Sequence, residues 1–341
     1  MKKLRLLSAE VFELISQDDL IHNKNDIIIK TDFCGICGAD MKSYRKGHRD
    51  LIYPRVLGHE ITGTVVSIPH SSQTNLRLGD HVQVYPGQFC GKCSYCQSGH
   101  ENLCDNMQIM GFHVDGGLQE YIAINIDMYN NILSLIPENL TLQQASFAEP
   151  LACSINMQDK MSLSSKESLL IIGAGRLGMI NYFLAKKRGL NKTVIADIYT
   201  PRLNYNIYEN TLDLSENDYK DKIKKMIDNS NFDAVIICTS VPETFQTAIN
   251  LSAKGGKIGY FSGFHQENIS TKILNNVHYK ELSVFGSYGC TLEGNRVALK
   301  LLKEGILPFK NIEMNIFNLE ETEKAIDLLE QKKIFSALIG F

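Results

Sequence analysis

The chain has 341 residues, enough for two domains with separate hydrophobic cores. Hydrophobic residues make up 44% of it and charged residues 21%, as in ordinary globular proteins, and the net charge of −3 gives no electrostatic reason to expect a nucleic acid or an anionic membrane as partner. The start, MKKLRLLSAEVFELIS, has Glu10 and Glu13 within its apolar run and lacks the unbroken stretch of a signal peptide. We therefore expect a cytoplasmic protein without a membrane span.

The first part of the chain, residues 1–152, is predicted to be a β-rich domain. Its strand-like segments are 27–33, 61–68 and 81–86. They are rich in β-branched residues, and Gly, Pro, Asn and Asp separate them.

From residue 169 onward, strand-like and helix-like segments alternate. Strands are predicted at 169–173, 193–197, 233–239, 255–263 and 281–287, and helices at 176–188, 218–228 and 242–254. This alternation predicts an α/β domain with a doubly wound parallel sheet, which we assign to residues 153–288. The remaining segment, 289–341, is predicted to hold two amphipathic helices, at 292–304 and 320–332, and a last strand at 335–340.

The chain contains nine cysteines, an odd number and a high one for a cytosolic protein. Five of them fall within 34–37 and 90–96, and Cys104 follows closely. A disulfide framework is not expected in a reducing compartment or in so large a fold, so this clustering indicates metal binding. Cys153, Cys238 and Cys290 are isolated and are interpreted as core or surface thiols.

The spacing Cys90-x2-Cys93-x2-Cys96-x7-Cys104 predicts a structural zinc site. Four thiolates complete a tetrahedral shell and leave no position for a substrate. An iron–sulfur cluster and a set of unrelated cysteines are the weaker alternatives. His100 lies inside this loop and is interpreted as a surface residue, because four thiols already suffice.

Two further segments, 33–40 and 57–60, contain the residue types of a second metal site. A catalytic zinc takes about three protein ligands and keeps one position open. Cys37, His59 and a carboxylate would supply that set. Each segment alone is a weak signal, and their joint occurrence before a four-cysteine loop strengthens it.

The sequence GAGRLG at 173–178 is a G-x-G-x-x-G pattern that follows an apolar strand and opens a helix, with Asp197 at the end of the next strand. In this context the pattern predicts a dinucleotide site, because the glycines let the pyrophosphate approach the helix N-terminus. The predicted cofactor-binding residues are Gly173, Gly175, Arg176, Leu177, Gly178, Asp197 and Arg202.

Taken together, these motifs resemble the zinc-dependent medium-chain dehydrogenase/reductase superfamily over essentially the whole chain. The matching stretches are GICGAD (35–40), GHEITG (58–63), the cysteine loop (90–104), GGLQEY (116–121), EPLAC (149–153) and GAGRLG (173–178). The resemblance implies a GroES-like catalytic domain at 1–152, a Rossmann domain at 153–288, and a segment at 289–341 that returns to the catalytic domain. It also implies a homodimer or homotetramer.

The resemblance assigns roles to the catalytic zinc ligands. Cys37 and His59 match the first two ligands, and Asp40 matches an aspartate that orients the histidine. Glu60 matches a glutamate that binds zinc directly or swings away from it. Glu149 falls where some members have a third ligand, so either glutamate could be the third ligand while the other holds the zinc-bound water.

Cys34, Ala39 and Lys42 lie close to Cys37 in the sequence and bear on the choice of ligand and on the proton path. The family pattern makes Cys37 the ligand and leaves Cys34 to strand packing. Many members place a hydroxyl residue where this chain has Ala39, so the usual proton relay cannot begin there. Water, Glu60 or Lys42 could replace it, and the alternative for Lys42 is a solvated surface lysine.

The implied reaction is the reversible oxidation of a secondary alcohol to a ketone with NAD, in a protein that binds one catalytic and one structural zinc. Glu149 in EPLA resembles the sorbitol and polyol dehydrogenase branch, but Gly289 stands where that branch has a polyol-contacting arginine. A different sugar alcohol, an amino-polyol or another amino alcohol fits as well as sorbitol. The alternatives are a zinc-independent quinone or enone reductase and a non-enzymatic nucleotide-binding protein.

NAD is expected rather than NADP because Asp197 can accept from both ribose hydroxyls and would repel a 2′-phosphate. Arg202 is the one nearby counter-charge, and it could stack on adenine instead.

Overall fold

The structure is a computed structural model that describes residues 1–18, 22–69, 74–204, 206–227, 231–263 and 270–341. The chain divides into two compact units. The first unit comprises Met1–Ala152, Cys290–Gly305 and Ile312–Phe341, and the second comprises Cys153–Gly289 and Ile306–Asn311. Among the described residues, no helix is long and apolar enough to cross a membrane.

The secondary-structure elements are numbered in chain order. The strands are β1 (Lys2–Ser8), β2 (Val11–Ser16), β3 (Asp26–Gly35), β4 (Arg55–Val56), β5 (Glu60–Ser67), β6 (His81–Val84), β7 (Gly87–Gln88), β8 (Gln108–Ile109), β9 (Tyr121–Asn125), β10 (Leu133–Leu135), β11 (Leu169–Ile172), β12 (Thr193–Asp197), β13 (Thr211–Asp213), β14 (Phe232–Ile237), β15 (Ser252–Tyr260), β16 (Ser283–Gly286), β17 (Asn315–Phe317) and β18 (Ala337–Gly340). The α-helices are α1 (Gly38–Lys46), α2 (Ser94–Gln97), α3 (Tyr129–Ile132), α4 (Leu142–Ala145), α5 (Ala148–Lys160), α6 (Arg176–Lys187), α7 (Tyr219–Met226), α8 (Glu243–Leu251), α9 (Thr271–Tyr279), α10 (Leu292–Lys303) and α11 (Thr322–Glu330).

The first unit is built around a largely antiparallel sheet with the order β10-β6-β5-β3-β18-β17, to which β9 adds by pairing with β3. Strand β3 is central because its apolar, β-branched residues Ile27, Ile28 and Ile29 are all buried. Its pairing with β5 runs to Gly35 opposite Glu60. This register brings the segment that ends in Cys37 next to the segment that begins β5.

The second unit contains a six-stranded parallel sheet with the order β13-β12-β11-β14-β15-β16. The residues of β11 are wholly apolar and wholly buried, as expected for a strand covered on both faces. The strand order reverses between β11 and β14, and ligands of such sheets bind at the carboxyl ends of the strands beside that point. The predicted α/β class, a Rossmann sheet with a β-rich domain, is confirmed.

The predicted helix boundary that differs most from the structure is the end of α8. We expected a helix over 242–254, but α8 ends at Leu251 and β15 begins at Ser252. The Ser252 hydroxyl donates to the carbonyl of Ala248 at 2.7 Å, and Ser252 pairs with Phe232 of β14. Sheet pairing therefore takes over at this residue, which local helix propensity could not reveal.

Candidate zinc and dinucleotide sites

The turn between β3 and α1 positions Cys37. This residue precedes α1 with an extended backbone, and its N–H donates to Oδ2 of Asp40 at 2.9 Å. Oδ1 of the same carboxylate accepts the N–H of Gly58 at 3.2 Å. Asp40 is 1% exposed. Through these two hydrogen bonds it joins the start of α1 to the segment that contains His59 and Glu60.

Three of the predicted catalytic ligands lie together in the first unit. The ligand atoms of Cys37, His59 and Glu60 are all within 4.8 Å of one another. A β-carbon at Gly35 would come within 2.1 Å of Oε2 of Glu60. Glycine at this position is therefore what leaves room for the buried carboxylate beside the other two ligands.

The donor set of this cluster fits a catalytic zinc. One thiol, one imidazole and one carboxylate provide three protein ligands and leave a fourth position open. Nδ1 of His59 lies 3.4 Å from Oδ1 of Asp40, which orients the ring and leaves Nε2 for a metal. The surroundings also favour a cation, since Asp40 and Cys37 outweigh burial and raise the pKa of His59 well above its usual value. Burial raises the pKa of the Cys37 thiol, and a bound cation would stabilise the thiolate.

Glu149 has a different neighbour. It lies in the first turn of α5, and its ligand oxygen is within 4.8 Å of the sulfur of Cys290. Both residues are less than a tenth exposed. Cys290 was interpreted from the sequence as an isolated thiol, and no local signal could place it beside a residue so distant in the chain.

The other residues discussed around Cys37 have simpler surroundings. Cys34 is fully buried in β3, and burial raises the pKa of its thiol well above the usual value. Its sulfur lies 2.5 Å from where a β-carbon at Gly58 would stand, so it packs tightly in the core. Lys42 is half-buried on α1, and Ala39 lies on the same helix.

The four cysteines of the 90–104 loop are also brought together. Their sulfur atoms all lie within 4.8 Å of one another. The N–H groups of Cys90 and Asn106 donate to the sulfur of Cys104 at 3.3 and 3.4 Å. Backbone N–H groups of Lys92 and Cys93 lower the pKa of Cys90 to about 6, whereas burial and the neighbouring thiols raise the pKa of Cys96 to about 12. Backbone donors aimed at four converging sulfurs fit a closed, thiolate-bound metal such as structural zinc.

Two residues inside this loop have other roles. His100 is exposed, and its Nδ1 lies 3.2 Å from the hydroxyl of Ser98. A carboxylate oxygen of Glu101 accepts the N–H of Leu292, the first residue of α10, at 3.3 Å. The cysteine loop is therefore tied to α10 by a hydrogen bond that the sequence did not indicate.

In the second unit, the GAGRLG segment forms the turn between β11 and α6. Gly173 has a φ of +105°, a conformation that favours glycine. Gly175 precedes α6, and Arg176 and Leu177 form its first turn. A β-carbon at Gly178 would come within 1.8 Å of the carbonyl oxygen of Gly173. The turn thus packs closely against its own helix, and a glycine turn at a helix N-terminus is the kind of site that receives the pyrophosphate of a dinucleotide.

Asp197 and Arg202 both lie near this turn. Asp197 ends β12, and its two carboxylate oxygens accept the N–H groups of Ala174 at 2.8 Å and Tyr199 at 2.9 Å. Each oxygen keeps a further lone pair that could accept from a ribose hydroxyl. The Nη1 atom of Arg202 lies 3.3 Å from where a β-carbon at Gly175 would stand. The structure therefore places a carboxylate and a guanidinium at the same glycine turn.

Comparison with known proteins identifies the family. Residues 23–134 match the alcohol dehydrogenase GroES-like domain, and residues 177–304 match the zinc-binding dehydrogenase family. An uncharacterized zinc-type alcohol dehydrogenase-like protein of Haemophilus influenzae is 30% identical over 77% of this chain and 76% of its own length. The L-galactonate-5-dehydrogenase of Escherichia coli K12 is 30% identical over 84% of this chain and 82% of its own. This chain belongs to the zinc-dependent medium-chain dehydrogenase family.

A solved structure supports the same assignment for this zinc-dependent dehydrogenase. The zinc-binding dehydrogenase of Sinorhizobium meliloti 1021, solved with NADP, is 26% identical and superposes with a TM-score of 0.86 over 100% of this chain and 99% of the other. The predicted family and the predicted class of reaction, zinc-dependent alcohol oxidoreduction, are thus confirmed.

Proposed function

We propose that this zinc-dependent dehydrogenase oxidises a secondary alcohol of a polyol, sugar alcohol or amino alcohol with NAD, and that it binds one catalytic and one structural zinc. The observation that carries the proposal is the convergence of Cys37, His59 and Glu60 within 4.8 Å, with Asp40 behind the histidine. A zinc-independent reductase of quinones or enones has no need for such a set. The relative from Escherichia coli, which acts on L-galactonate, supports a polyhydroxylated substrate.

The protein residues have distinct parts in this reaction. When bound, zinc supplies Lewis acidity toward an alcohol oxygen, and the nicotinamide accepts the hydride. Cys37, His59 and Glu60 would hold the metal and leave one position for substrate. Asp40 fixes the ring of His59 through its contact with Nδ1. Because Ala39 has no hydroxyl and Glu60 is used as a zinc ligand, we propose that Lys42 or water carries the released proton toward solvent.

Two further assignments concern the preferred cofactor and the choice between Glu60 and Glu149 as a zinc ligand. We propose Asp197 as the acceptor of the ribose hydroxyls and therefore NAD as the preferred cofactor, with Gly173, Gly175 and Gly178 shaping the pyrophosphate site. We propose Glu60 rather than Glu149 as the third zinc ligand, because Glu60 is the carboxylate that groups with Cys37 and His59. A homodimer or homotetramer in the cytoplasm remains a prediction.

The test is a screen of polyols, sugar acids and amino alcohols with the purified, zinc-analysed protein. Each is assayed with NAD+ and with NADP+ by the absorbance of the reduced cofactor. We expect turnover of at least one secondary alcohol with NAD+ and two zinc ions per chain. Turnover confined to quinones or enones, in protein whose activity survives zinc removal, would replace the proposal with the reductase alternative.

A further inference from the structure

The loop after α1 places a second imidazole beside the candidate catalytic cluster. The ring of His48 lies 4.8 Å from the ring of Phe112, centroid to centroid, with the planes tilted by 49°. The ring of His59 lies 5.5 Å from the same phenylalanine, tilted by 38°. Phe112 therefore contacts both imidazoles, and the ring centroids of His48 and His59 are at most about 10 Å apart.

Several backbone features hold His48 in this place. Gly47 ends α1 with a φ of +77°, which turns the chain sharply before His48. The carbonyl of His48 accepts the N–H of Leu51 at 3.1 Å, and the N–H of Ile52 donates to the carbonyl of Phe112 at 3.4 Å. The loop is thus attached to the Phe112 segment by a hydrogen bond as well as by ring packing.

The hydrogen bonding of His48 determines which ring nitrogen can meet a ligand. Nδ1 lies 3.3 Å from the N–H of Asp50 and accepts from it. A neutral ring that accepts at Nδ1 carries its proton on Nε2, which is then a donor. Burial is the main reason that the pKa of His48 is lowered, with Lys42 and Arg49 adding to the effect and Asp50 opposing it. A lowered pKa favours the neutral form of the ring.

An apolar side chain would serve equally well if His48 only packed on Phe112. The side chain is instead 13% exposed, with Nδ1 occupied by a backbone donor and Nε2 left as the polar atom for outside contact. A polar donor placed against an aromatic ring is a common way in which a pocket fixes the orientation of a polar ligand.

We propose that His48 is a specificity-determining residue, which donates from Nε2 to a substrate hydroxyl several carbons away from the carbon that is oxidised, with Phe112 as the apolar wall between them. The inference rests on the proposed function, and it selects polyhydroxylated alcohols over simple ones. His48 would affect the affinity for substrate, whereas the alcohol group that reacts would lie at the cluster of Cys37, His59 and Glu60.

The test compares the His48→Phe variant with wild type on a matched pair of substrates, a hexitol or pentitol and the secondary alkanol of the same carbon number. One lost hydrogen bond should lower kcat/KM for the polyol about tenfold, mostly through KM. The value for the alkanol should change by less than about threefold, because Phe112 keeps an aromatic partner. His48→Gln, which restores a donor, should recover part of the loss. A fall of equal size for both substrates, or for neither, would overturn the proposal.

His81→Phe is the matched control, since His81 is an exposed imidazole whose Nδ1 is also engaged, by Thr64 at 3.1 Å. The His81→Phe variant should have the wild-type kcat/KM for both substrates. A binding measurement separates this inference from the proposed function. In zinc-loaded, histidine-labelled protein, the polyol should shift the ring resonance that is missing in His48→Phe, and the alkanol should not. If no alcohol is turned over, the proposed function fails, and the presence or absence of that shift still decides the role of His48.

Discussion

Oδ1 of Asp40 lies 3.4 Å from Nδ1 of His59, and both side chains are almost completely buried. The same carboxylate also accepts the backbone N–H groups of Cys37 and Gly58. Asp40 therefore connects the two chain segments that supply the candidate zinc ligands. A residue that touches both segments without being a ligand should control how precisely the ligands are held.

Replacing Asp40 by Asn should weaken the catalytic zinc site. The amide keeps the shape but loses the charge that supports His59, and loss of such a partner typically costs about 10- to 100-fold in metal affinity or activity. Metal-competition titration and kcat/KM measure the two effects. Asp32→Asn is the control, because Asp32 also lies on a strand of the first unit but contacts Thr64 instead. Wild-type affinity in Asp40→Asn would show that the contact with His59 has no functional role.

Cys93→Ser and Cys37→Ser should each remove a different zinc ion. The two ligand sets share no residue, so elemental analysis should find one zinc per chain in either variant and two in wild type. Cys93→Ser should also lower Tm by about 5 °C or more, since a structural metal contributes directly to folding. Cys37→Ser should abolish turnover with a smaller change in Tm. Loss of both ions in one single variant would contradict independent sites.

Glu60→Gln should impair the catalytic site more than Glu149→Gln. Glu60 groups with Cys37 and His59, whereas Glu149 lies next to Cys290. An amide is a much poorer zinc ligand than a carboxylate, so Glu60→Gln should lose catalytic zinc during dialysis and lower kcat/KM by about 100-fold or more. The opposite order of effects would make Glu149 the third ligand.

The cofactor preference should depend on Asp197. We expect kcat/KM to favour NAD over NADP by about 100-fold, from hydrogen bonds to the ribose and repulsion of a 2′-phosphate. Asp197→Ser should narrow that ratio, and Asp197→Asn should show how much of the change comes from the lost charge. Because Arg202 lies beside Gly175, Arg202→Ala should lower kcat/KM with NADP further. A wild-type ratio near one would mean that Arg202 outweighs the repulsion by Asp197.

Lys42→Met should alter the pH dependence of kcat if this residue carries the proton that a hydroxyl at position 39 would otherwise receive. Lys42 is half-buried on α1, where general acid–base work is possible. The pH–rate profiles of wild type and Lys42→Met should therefore differ on one limb. Lys46→Met is the control, because Lys46 is an exposed lysine of the same helix. Superimposable profiles for all three proteins would leave Lys42 as a surface charge.

Much of this protein could be predicted from short stretches of its sequence. The apolar run at 169–172, the GAGRLG turn and Asp197 at the end of β12 predict the parallel sheet and the cofactor end of it. The four cysteines lie within 15 consecutive residues, so their spacing alone predicts that they can share a metal. In both cases the contacts that matter are local, and local contacts follow from spacing and periodicity.

Contacts between distant segments were decided only by the tertiary structure. The pairing of β3 with β5 brings Gly35 opposite Glu60. Folding also places Cys290 beside Glu149, and Phe112 in contact with both His48 and His59. The end of α8 at Leu251 likewise depends on strand β14, which pairs with Ser252. The sequence determined which chemical groups are available, because residue types and short spacings are written in it. The fold determined which of them meet, because sheet register and side-chain packing depend on the whole unit at once.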